Sequence, residues 1–168
     1  MSELVRVKDL FVLYKTPTYH VRAVDGVSLT VNRKEIFGIV GESGCGKSTL
    51  ANGILNLVSP PCYIEGGEVI FDGVNLMKLD EESLRELRLR RLSYIPQSSM
   101  NALNPVMKVE DQIADGTMAH QDIGKEEALK KVPPLLESVG LPPEAAKMYQ
   151  HELSGGMRQR AAIAIAMA

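Results

Sequence analysis

The chain has 168 residues and a formal net charge of −2, with 45% hydrophobic and 24% charged residues. This composition is that of a folded globular domain and excludes a disordered chain, and two cysteines exclude a disulfide-rich secreted scaffold. Near-neutral charge, with 5% aromatic residues and no Trp, gives no reason to expect nucleic acid as a partner. The charged N-terminus is unlike a signal peptide, and the longest apolar run, residues 161–168, is far shorter than the ~20 residues that cross a bilayer. We therefore expect a soluble, cytosolic chain.

The first half of the chain predicts alternating strands and helices. Residues 4–14 and 27–31 alternate apolar and polar side chains, as half-buried strands do. Residues 36–40 form a short, continuous apolar run, which is typical of a strand covered on both faces in a parallel sheet. A helix is expected over residues 47–58 and a further strand over residues 68–71.

The second half predicts mainly helix. A charged helix is expected over residues 80–91, followed by a strand-like segment over residues 92–96. From Val109 onward, apolar residues recur at the three- or four-residue spacing of an amphipathic helix. Pro133 and Pro134 interrupt one such run, so we expect them to kink the helix or to form its first turn.

A glycine-rich loop stands between the apolar run and the first predicted helix. Its sequence, Gly-Glu-Ser-Gly-Cys-Gly-Lys-Ser at positions 41–48, matches G-x-x-x-x-G-K-[ST] in the strand–helix context that this motif requires. The glycines allow backbone N–H groups to turn toward a phosphate, and the helix start adds its positive dipole end. Lys47 can supply a mobile charge to the β- and γ-phosphate oxygens, and the Ser48 hydroxyl can bind Mg²⁺. The alternative, an ordinary glycine-rich turn, does not account for this context.

The loop predicts a set of nucleotide-binding residues. We expect Cys45 to contribute its backbone N–H group to phosphate binding. The alternative is that Cys45 carries a reactive thiol. The predicted residues are Gly41, Glu42, Ser43, Gly44, Cys45, Gly46, Lys47, Ser48 and Thr49.

A second motif, Leu-Ser-Gly-Gly-Met-Arg-Gln-Arg, occupies positions 153–160. Ser154 is a good N-cap for the alanine-rich helix that follows, so a well-capped helix is the simplest interpretation. That interpretation leaves Gly155 and Gly156 unexplained, because a glycine in a helix costs about 1 kcal/mol relative to alanine. Glycines placed against helix propensity suggest a backbone that approaches a ligand closely. We expect Arg158 and Arg160 to lie on a solvated face or to make local ion pairs.

The glycine-rich loop alone is compatible with kinases, GTPases and motors, but the two motifs together resemble the ATP-binding subunit of ABC transporters, in which Leu-Ser-Gly-Gly-x is the family signature. Residues 97–105 and 151–160 further resemble the oligopeptide/dipeptide importer ATPases and their nickel-importing relatives. The resemblance runs from about Val5 to the last residue. It implies an α/β P-loop NTPase fold with a RecA-like parallel core, an antiparallel β subdomain and a helical subdomain, C-terminally incomplete.

The resemblance also implies a domain division and further site residues. The core would span residues 1–97, the helical subdomain residues 98–153, and the signature helix residues 154–168. Gln97 matches the glutamine that contacts Mg²⁺ or the attacking water, so Gln97 and Lys47 are the implied catalytic residues; a solvated loop amide is the alternative for Gln97.

The resemblance implies that ATP contacts an aromatic ring and that the chain contacts a membrane protein. Tyr14 stands where the family carries an aromatic that stacks on adenine, with Tyr19 or an ordinary strand-end tyrosine as alternatives. Residues 98–109 would face the membrane permease subunits.

In this family, two ATP-binding subunits enclose ATP head to tail on the cytoplasmic face of the membrane. Ser154, Gly155 and Gly156 of one subunit would then face the γ-phosphate held by the other. The sequence leaves open whether the second subunit is identical and whether the solute is a peptide or nickel. ABC ATPases of DNA repair and chromosome structure are disfavoured because no heptads separate the two motifs.

Parts of the family's catalytic apparatus have no counterpart in these 168 residues. The family's next strand ends in an Asp–Glu pair that acts on Mg²⁺ and the attacking water, and a switch His follows. Residues 69–72 predict a hairpin turn instead, and no His follows His151. We therefore expect a fragment of a longer ATPase that binds ATP weakly with little turnover, or a non-catalytic binding module. We also expect residues 161–168 to lack their cover and an unpaired sheet edge to favour self-association.

Overall fold

The computed structural model describes residues 2–88, 90–96 and 102–168, so Gln97 and residues 98–101 lie outside the described residues. The chain divides into two compact units, Met1–Leu84 and Arg85–Ala168. The division into residues 1–97, 98–153 and 154–168 stays a prediction. Among the described helices, none combines the length and apolar character needed to cross a membrane.

The first unit contains a four-stranded antiparallel sheet in the order β2-β1-β3-β4. Its strands are β1 (Glu3–Lys15), β2 (His20–Asn32), β3 (Cys62–Phe71) and β4 (Val74–Asn75). Val7, Leu10 and Val12 of β1 lie in the core with Val69 of β3, and a register shift between Val7 and Leu10 keeps both side chains on the buried face. The predicted strands over residues 4–14, 27–31 and 68–71 are therefore confirmed, as is an antiparallel β subdomain.

One helix of the first unit, α1 (Lys47–Ile54), packs against β1 and ends four residues earlier than the predicted residue 58. Leu50 and Gly53 form its buried face. A Cβ atom added at Gly53 would lie 2.9 Å from Val12 Cγ2, so α1 approaches the sheet more closely than a larger residue would allow.

The apolar segment of residues 36–40 does not form the predicted strand. Within the described residues, the segment has no regular secondary structure and pairs with no strand, and no two named strands pair in parallel. Ile36 is 100% exposed and Val40 is 93% exposed. A strand needs a neighbour to satisfy its backbone groups, and the antiparallel sheet pairs only its own members. The prediction of a buried strand here is therefore wrong for the structure as described.

The second unit is helical. Its main helices are α3 (Val109–His120), α4 (Lys125–Lys130), α5 (Val132–Ser138) and α6 (Gly155–Met167), and α2 (Glu81–Leu87) crosses the boundary between the units. Short 3₁₀ helices cover Leu76–Lys78, Pro143–Lys147 and Gln150–Glu152. Of the predicted strand-like segment 92–96, only Leu92 pairs, in an isolated bridge with Arg88.

The two prolines begin a helix. Helix α4 ends at Lys130, and Pro133 and Pro134 occupy the first turn of α5, where a missing backbone N–H leaves no helical bond unmade. Gly140 has φ 71° just beyond the end of α5, where a left-handed residue commonly ends a helix. The prolines therefore form the first turn of a helix, one of the two predicted outcomes, and do not kink a longer helix.

One face of helix α6 is covered, which corrects part of the expectation for residues 161–168, while Met167 is 54% exposed. Ala161 and Ala164 are 0% exposed and belong to the core cluster of the helical unit. Small side chains three residues apart on one face allow α3 and α5 to approach α6 closely. The remaining buried members of the cluster are Leu103, Val109, Ile113, Val132, Leu136, Leu141, Ala145, Ala146 and Leu153.

Candidate functional site

The glycine-rich loop is shaped by left-handed backbone conformations. Gly44 has φ 83° and Gly46 has φ 96°, values that side chains with a Cβ atom rarely adopt. Gly46 is also sterically required, because a Cβ atom there would lie 2.3 Å from the Ala23 carbonyl oxygen of β2. Strand β2 therefore packs against the loop at Gly46, the residue immediately before α1.

Lys47 extends across the same loop. Its ammonium group donates hydrogen bonds to the carbonyl oxygens of Gly41 at 2.9 Å and Glu42 at 2.6 Å, and lies 3.6 Å from the Cys45 sulfur. Across the described ranges, no carboxylate forms an ion pair with Lys47. Its positive charge thus faces neutral acceptors and is available to an anion that enters the loop.

The start of α1 adds further donors. The N-cap, Gly46, has no side chain to accept a hydrogen bond from the first turn, whose N–H groups have no acceptor inside the helix. Ser48 is exposed on this turn, and Leu50 begins the helical ladder by donating to the Gly46 carbonyl at 2.8 Å. Free amides, a helix dipole and a lysine together favour phosphate binding.

The donors in this loop fit a nucleoside triphosphate with Mg²⁺. Positive and hydrogen-bond-donating groups converge there, as phosphate oxygens require. The exposed Ser48 hydroxyl is an oxygen ligand of the kind that Mg²⁺ accepts beside phosphate oxygens. Glu42, Ser43 and the free thiol of Cys45 are exposed on the same loop.

Of the two candidate tyrosines, Tyr14 is connected to the loop helix. Its hydroxyl lies 3.2 Å from Thr49 Oγ1, in the first turn of α1, and both side chains are partly buried. Tyr19 is 61% exposed in the turn between β1 and β2, where its backbone hydrogen-bonds to Thr16. The Tyr14–Thr49 contact cannot be predicted from the sequence, because no local pattern connects residues 35 positions apart.

The signature motif begins α6 in the second unit. Ser154 is the N-cap, and its hydroxyl accepts a hydrogen bond from the Met157 amide at 3.3 Å, as predicted. Gly156 is exposed, and a Cβ atom there would meet nothing within 4 Å. Packing among the described residues therefore does not require glycine at position 156, and Ser154 is exposed as well.

Two other predicted residues are Arg160, which makes a hydrogen bond within the second unit, and Gln97, which lies outside the described residues. Arg160 donates to the Gly140 carbonyl at 2.9 Å, a local contact that joins α6 to the end of α5. Gln97 lies outside the described residues, so its assignment to Mg²⁺ or the attacking water stays a prediction. The structure brings together the loop residues and Tyr14 in the first unit, while Ser154, Gly155 and Gly156 belong to the second unit.

Comparisons with known proteins agree with both motifs. The sequence profile of the ABC transporter family matches residues 24–168. The chain is 42% identical to the oligopeptide transport ATP-binding protein OppD of Bacillus subtilis, over 100% of the chain and 48% of that protein. It is 39% identical to the dipeptide transport ATP-binding protein DppD of Bacillus subtilis, over 99% of the chain and 51% of that protein.

Solved structures resemble the chain over nearly its whole length. A dimeric structure of MJ0796, a bacterial ABC transporter cassette, superposes with a TM-score of 0.86 at 28% identity, covering 98% of the chain and 69% of that protein. The match confirms the predicted P-loop NTPase class of fold. The chain spans about half the length of the curated relatives it matches. The profile match and the identity to transport ATP-binding proteins show that the chain belongs to the ABC transporter family.

Proposed function

We propose that the chain binds Mg-ATP at residues 41–49 and is the nucleotide-binding part of an ABC importer of oligopeptides or dipeptides. The observation that carries this proposal is the position of Lys47, whose ammonium group crosses a loop of left-handed glycines and has no carboxylate partner among the described residues. A cation held by neutral carbonyls beside a helix start is suited to a polyphosphate.

Each group in the loop has a chemical role in this proposal. The amides of the loop and of the first turn of α1 bind phosphate oxygens, and Lys47 neutralises the β- and γ-phosphates. The Ser48 hydroxyl holds Mg²⁺, which neutralises phosphate charge when bound. The ring of Tyr14 contributes adenine stacking, and Gln97 contributes to the metal or the attacking water.

The proposed partners follow from the family. The relatives named for oligopeptide and dipeptide transport support a peptide importer, and nickel import is the alternative within the same branch. A second ATP-binding subunit would place its Ser154, Gly155 and Gly156 against the γ-phosphate, and MJ0796, a family cassette, has a dimeric structure. Permease subunits would hold the assembly at the cytoplasmic face of the membrane as a peripheral component.

Binding and turnover are separable in this proposal. No apolar run in the 168-residue sequence ends in an Asp–Glu pair. Residues 69–71 end β3, and Asp72 and Gly73 form the turn to β4. Phosphoryl transfer needs a positioned metal and an oriented nucleophile. The chain on its own is therefore expected to bind nucleotide without hydrolysing it, as a non-catalytic module does.

Substituting Lys47→Ala tests the nucleotide site. We expect Mg-ATP affinity to fall by about 10- to 100-fold, because a charged hydrogen-bonding partner of the phosphates is lost. Isothermal titration calorimetry on the 168-residue chain measures this change. Lys8→Ala, which removes one exposed lysine from β1, is the matched control and keeps wild-type affinity. Equal affinity of wild type and Lys47→Ala contradicts the site.

A phosphate-release assay on the same proteins separates binding from turnover. We expect ATP binding without release of phosphate above background. Hydrolysis that disappears in Lys47→Ala would contradict the non-catalytic part of the proposal and would assign turnover to other carboxylates of the chain.

A further inference from the structure

The hydroxyl groups of Tyr14 and Thr49 connect β1 to the helix that begins at the phosphate loop. Their oxygens are 3.2 Å apart, longer than the most common O–H···O separation of about 2.7–2.8 Å, and either can donate. Tyr14 is partly buried near the end of β1, and Thr49 is partly buried in the first turn of α1. The pair is a polar side-chain contact between the sheet and this turn.

Packing also holds α1 in place: Leu50 is buried, and two glycines approach the strands closely. Gly46 approaches the Ala23 carbonyl oxygen so closely that a Cβ atom would lie 2.3 Å from it. Gly53 approaches Val12 in the same way near the other end of α1. These contacts set the distance between α1 and the sheet. Packing of Leu50 and of the glycines is non-directional, whereas the Tyr14–Thr49 hydrogen bond is directional and constrains where the first turn points.

The orientation of the first turn decides where the phosphate-binding groups are presented. Ser48 precedes Thr49, and consecutive helical residues point about 100° apart. With Thr49 held toward β1, Ser48 is exposed. We infer that the Tyr14 hydroxyl is a positioning group of the phosphate loop and acts through Thr49. This inference rests on the proposed nucleotide site and adds a role for the hydroxyl beyond the adenine stacking expected of the ring.

The two roles of Tyr14 differ in what they require. Stacking uses the face of the ring and needs a base in the ligand. Positioning uses the hydroxyl and affects phosphate binding whether or not a base is present. Inorganic tripolyphosphate carries the phosphates without adenine, so comparing Mg-tripolyphosphate with Mg-ATP separates the two roles.

The experiment compares Tyr14→Phe and Thr49→Val with wild type by calorimetric titration of both ligands. We expect each variant to weaken Mg-ATP and Mg-tripolyphosphate by the same factor, about three- to tenfold, the equivalent of one neutral hydrogen bond. Thr49→Ser keeps a hydroxyl and should recover more affinity than Thr49→Val. The double variant Tyr14→Phe/Thr49→Val should be no weaker than either single one, because both remove the same bond.

Tyr63→Phe is the matched control. It removes a tyrosine hydroxyl that is 39% exposed on β3 and leaves the Tyr14–Thr49 pair intact, and it should bind both ligands as wild type does. Tripolyphosphate affinity that is unchanged in Tyr14→Phe and Thr49→Val would overturn the inference. Weakening of Mg-ATP alone would also overturn it, and would assign Tyr14 to the base only.

A ligand-free measurement keeps the inference testable if the proposed function fails. The Leu50 amide donates to the Gly46 carbonyl at 2.8 Å, so its hydrogen exchange reports on the junction of loop and helix. We expect Tyr14→Phe and Thr49→Val to speed exchange at Leu50, with exchange in β1 and β3 unchanged. A wild-type chain that binds neither ligand refutes the nucleotide site, whereas unchanged exchange at Leu50 refutes the positioning role.

Discussion

At the scale of single residues, the phosphate loop depends on backbone geometry and on one lysine. Gly46 has a left-handed conformation and also no room for a Cβ atom beside Ala23, so any substitution there meets both a conformational and a steric penalty. Lys47 has neutral acceptors at 2.9 and 2.6 Å, which orient it without cancelling its charge. The loop is thus prepared for an anion before one binds.

A second residue-scale feature is Asp80, whose carboxylate precedes α2. Its oxygen accepts a hydrogen bond from the Ser83 amide at 2.9 Å, as N-caps do. Hydrogen bonds from the side chain and the backbone of Ser83 lower the pKa of Asp80 below its ordinary value of 3.8. Because the pKa of Asp80 is lower in the folded chain than in the unfolded chain, the ionised carboxylate stabilises the fold. This stabilisation is fully present at pH values above the pKa of the unfolded chain. It is lost as the pH falls through the pKa of the folded chain.

Substituting Asp80→Ala should speed hydrogen exchange in α2 at neutral pH, most clearly at Leu84, whose amide donates to the Asp80 carbonyl at 3.0 Å. Asp80→Asn keeps a capping oxygen but cannot ionise, so it should show a smaller effect. Hydrogen exchange at Leu84 can be measured by NMR as a function of pH. The difference in exchange rate between wild type and Asp80→Asn should become smaller below pH 3.8. If the difference in exchange rate stays the same above and below pH 3.8, the charge of Asp80 does not contribute to the stability of α2.

At the scale of elements, the helical unit is held together by a core that joins several short helices. Helices as short as α4 and α5 are marginal by themselves and gain their stability from packing. Val132 and Leu136 of α5 lie in one cluster with Ile113 of α3 and Ala161 of α6. The signature helix is therefore part of this core, and its N-terminus is held by the same contacts.

Substituting Leu136→Ala should lower the free energy of unfolding by about 2–5 kcal/mol, because the side chain is fully buried and its removal leaves a cavity. Urea denaturation followed by circular dichroism measures the change. Glu137→Ala, the next residue on the exposed side of α5, is the control and should change stability by less than about 0.5 kcal/mol. A loss for Leu136→Ala as small as that of the control would contradict the assignment of this core.

At the scale of the whole molecule, residues 36–40 are the larger exposed apolar segment, whereas in α6 Met167 is the exposed large apolar residue among those described. Ile36 and Val40 are almost fully exposed, and Phe37 and Ile39 are 43% and 40% exposed. A run of exposed apolar residues with unpaired backbone groups favours association between chains. Self-association of the chain stays a prediction. We now expect residues 36–40, and not residues 161–168, to form the surface through which chains associate.

Substituting Ile36→Lys should reduce the concentration-dependent increase in mass measured by light scattering of the 168-residue chain, because a charge opposes association of the segment. Met167→Lys introduces the same charge at the exposed end of α6 and should leave association unchanged. A single-chain mass at every concentration in wild type would contradict the prediction. Equal effects of both variants would show that α6 also takes part.

Local features could be predicted from the sequence alone. The left-handed glycines of the phosphate loop, the Ser154 cap and the proline start of α5 were all predictable, because each depends on a few adjacent residues. The alternating strands β1 and β2 and the family of the chain were predictable for the same reason, since periodicity and motif are written along the chain.

Contacts between distant segments were decided only by the tertiary structure. The support of Gly46 by Ala23, the Tyr14–Thr49 contact and the cover of α6 each join residues that no local pattern connects. The same reason explains the incorrect prediction for residues 36–40: an apolar run reports a tendency to be buried, but a strand forms only where another segment offers its hydrogen bonds. Sequence therefore determined the chemistry that each segment carries, and the tertiary structure decided which segments meet.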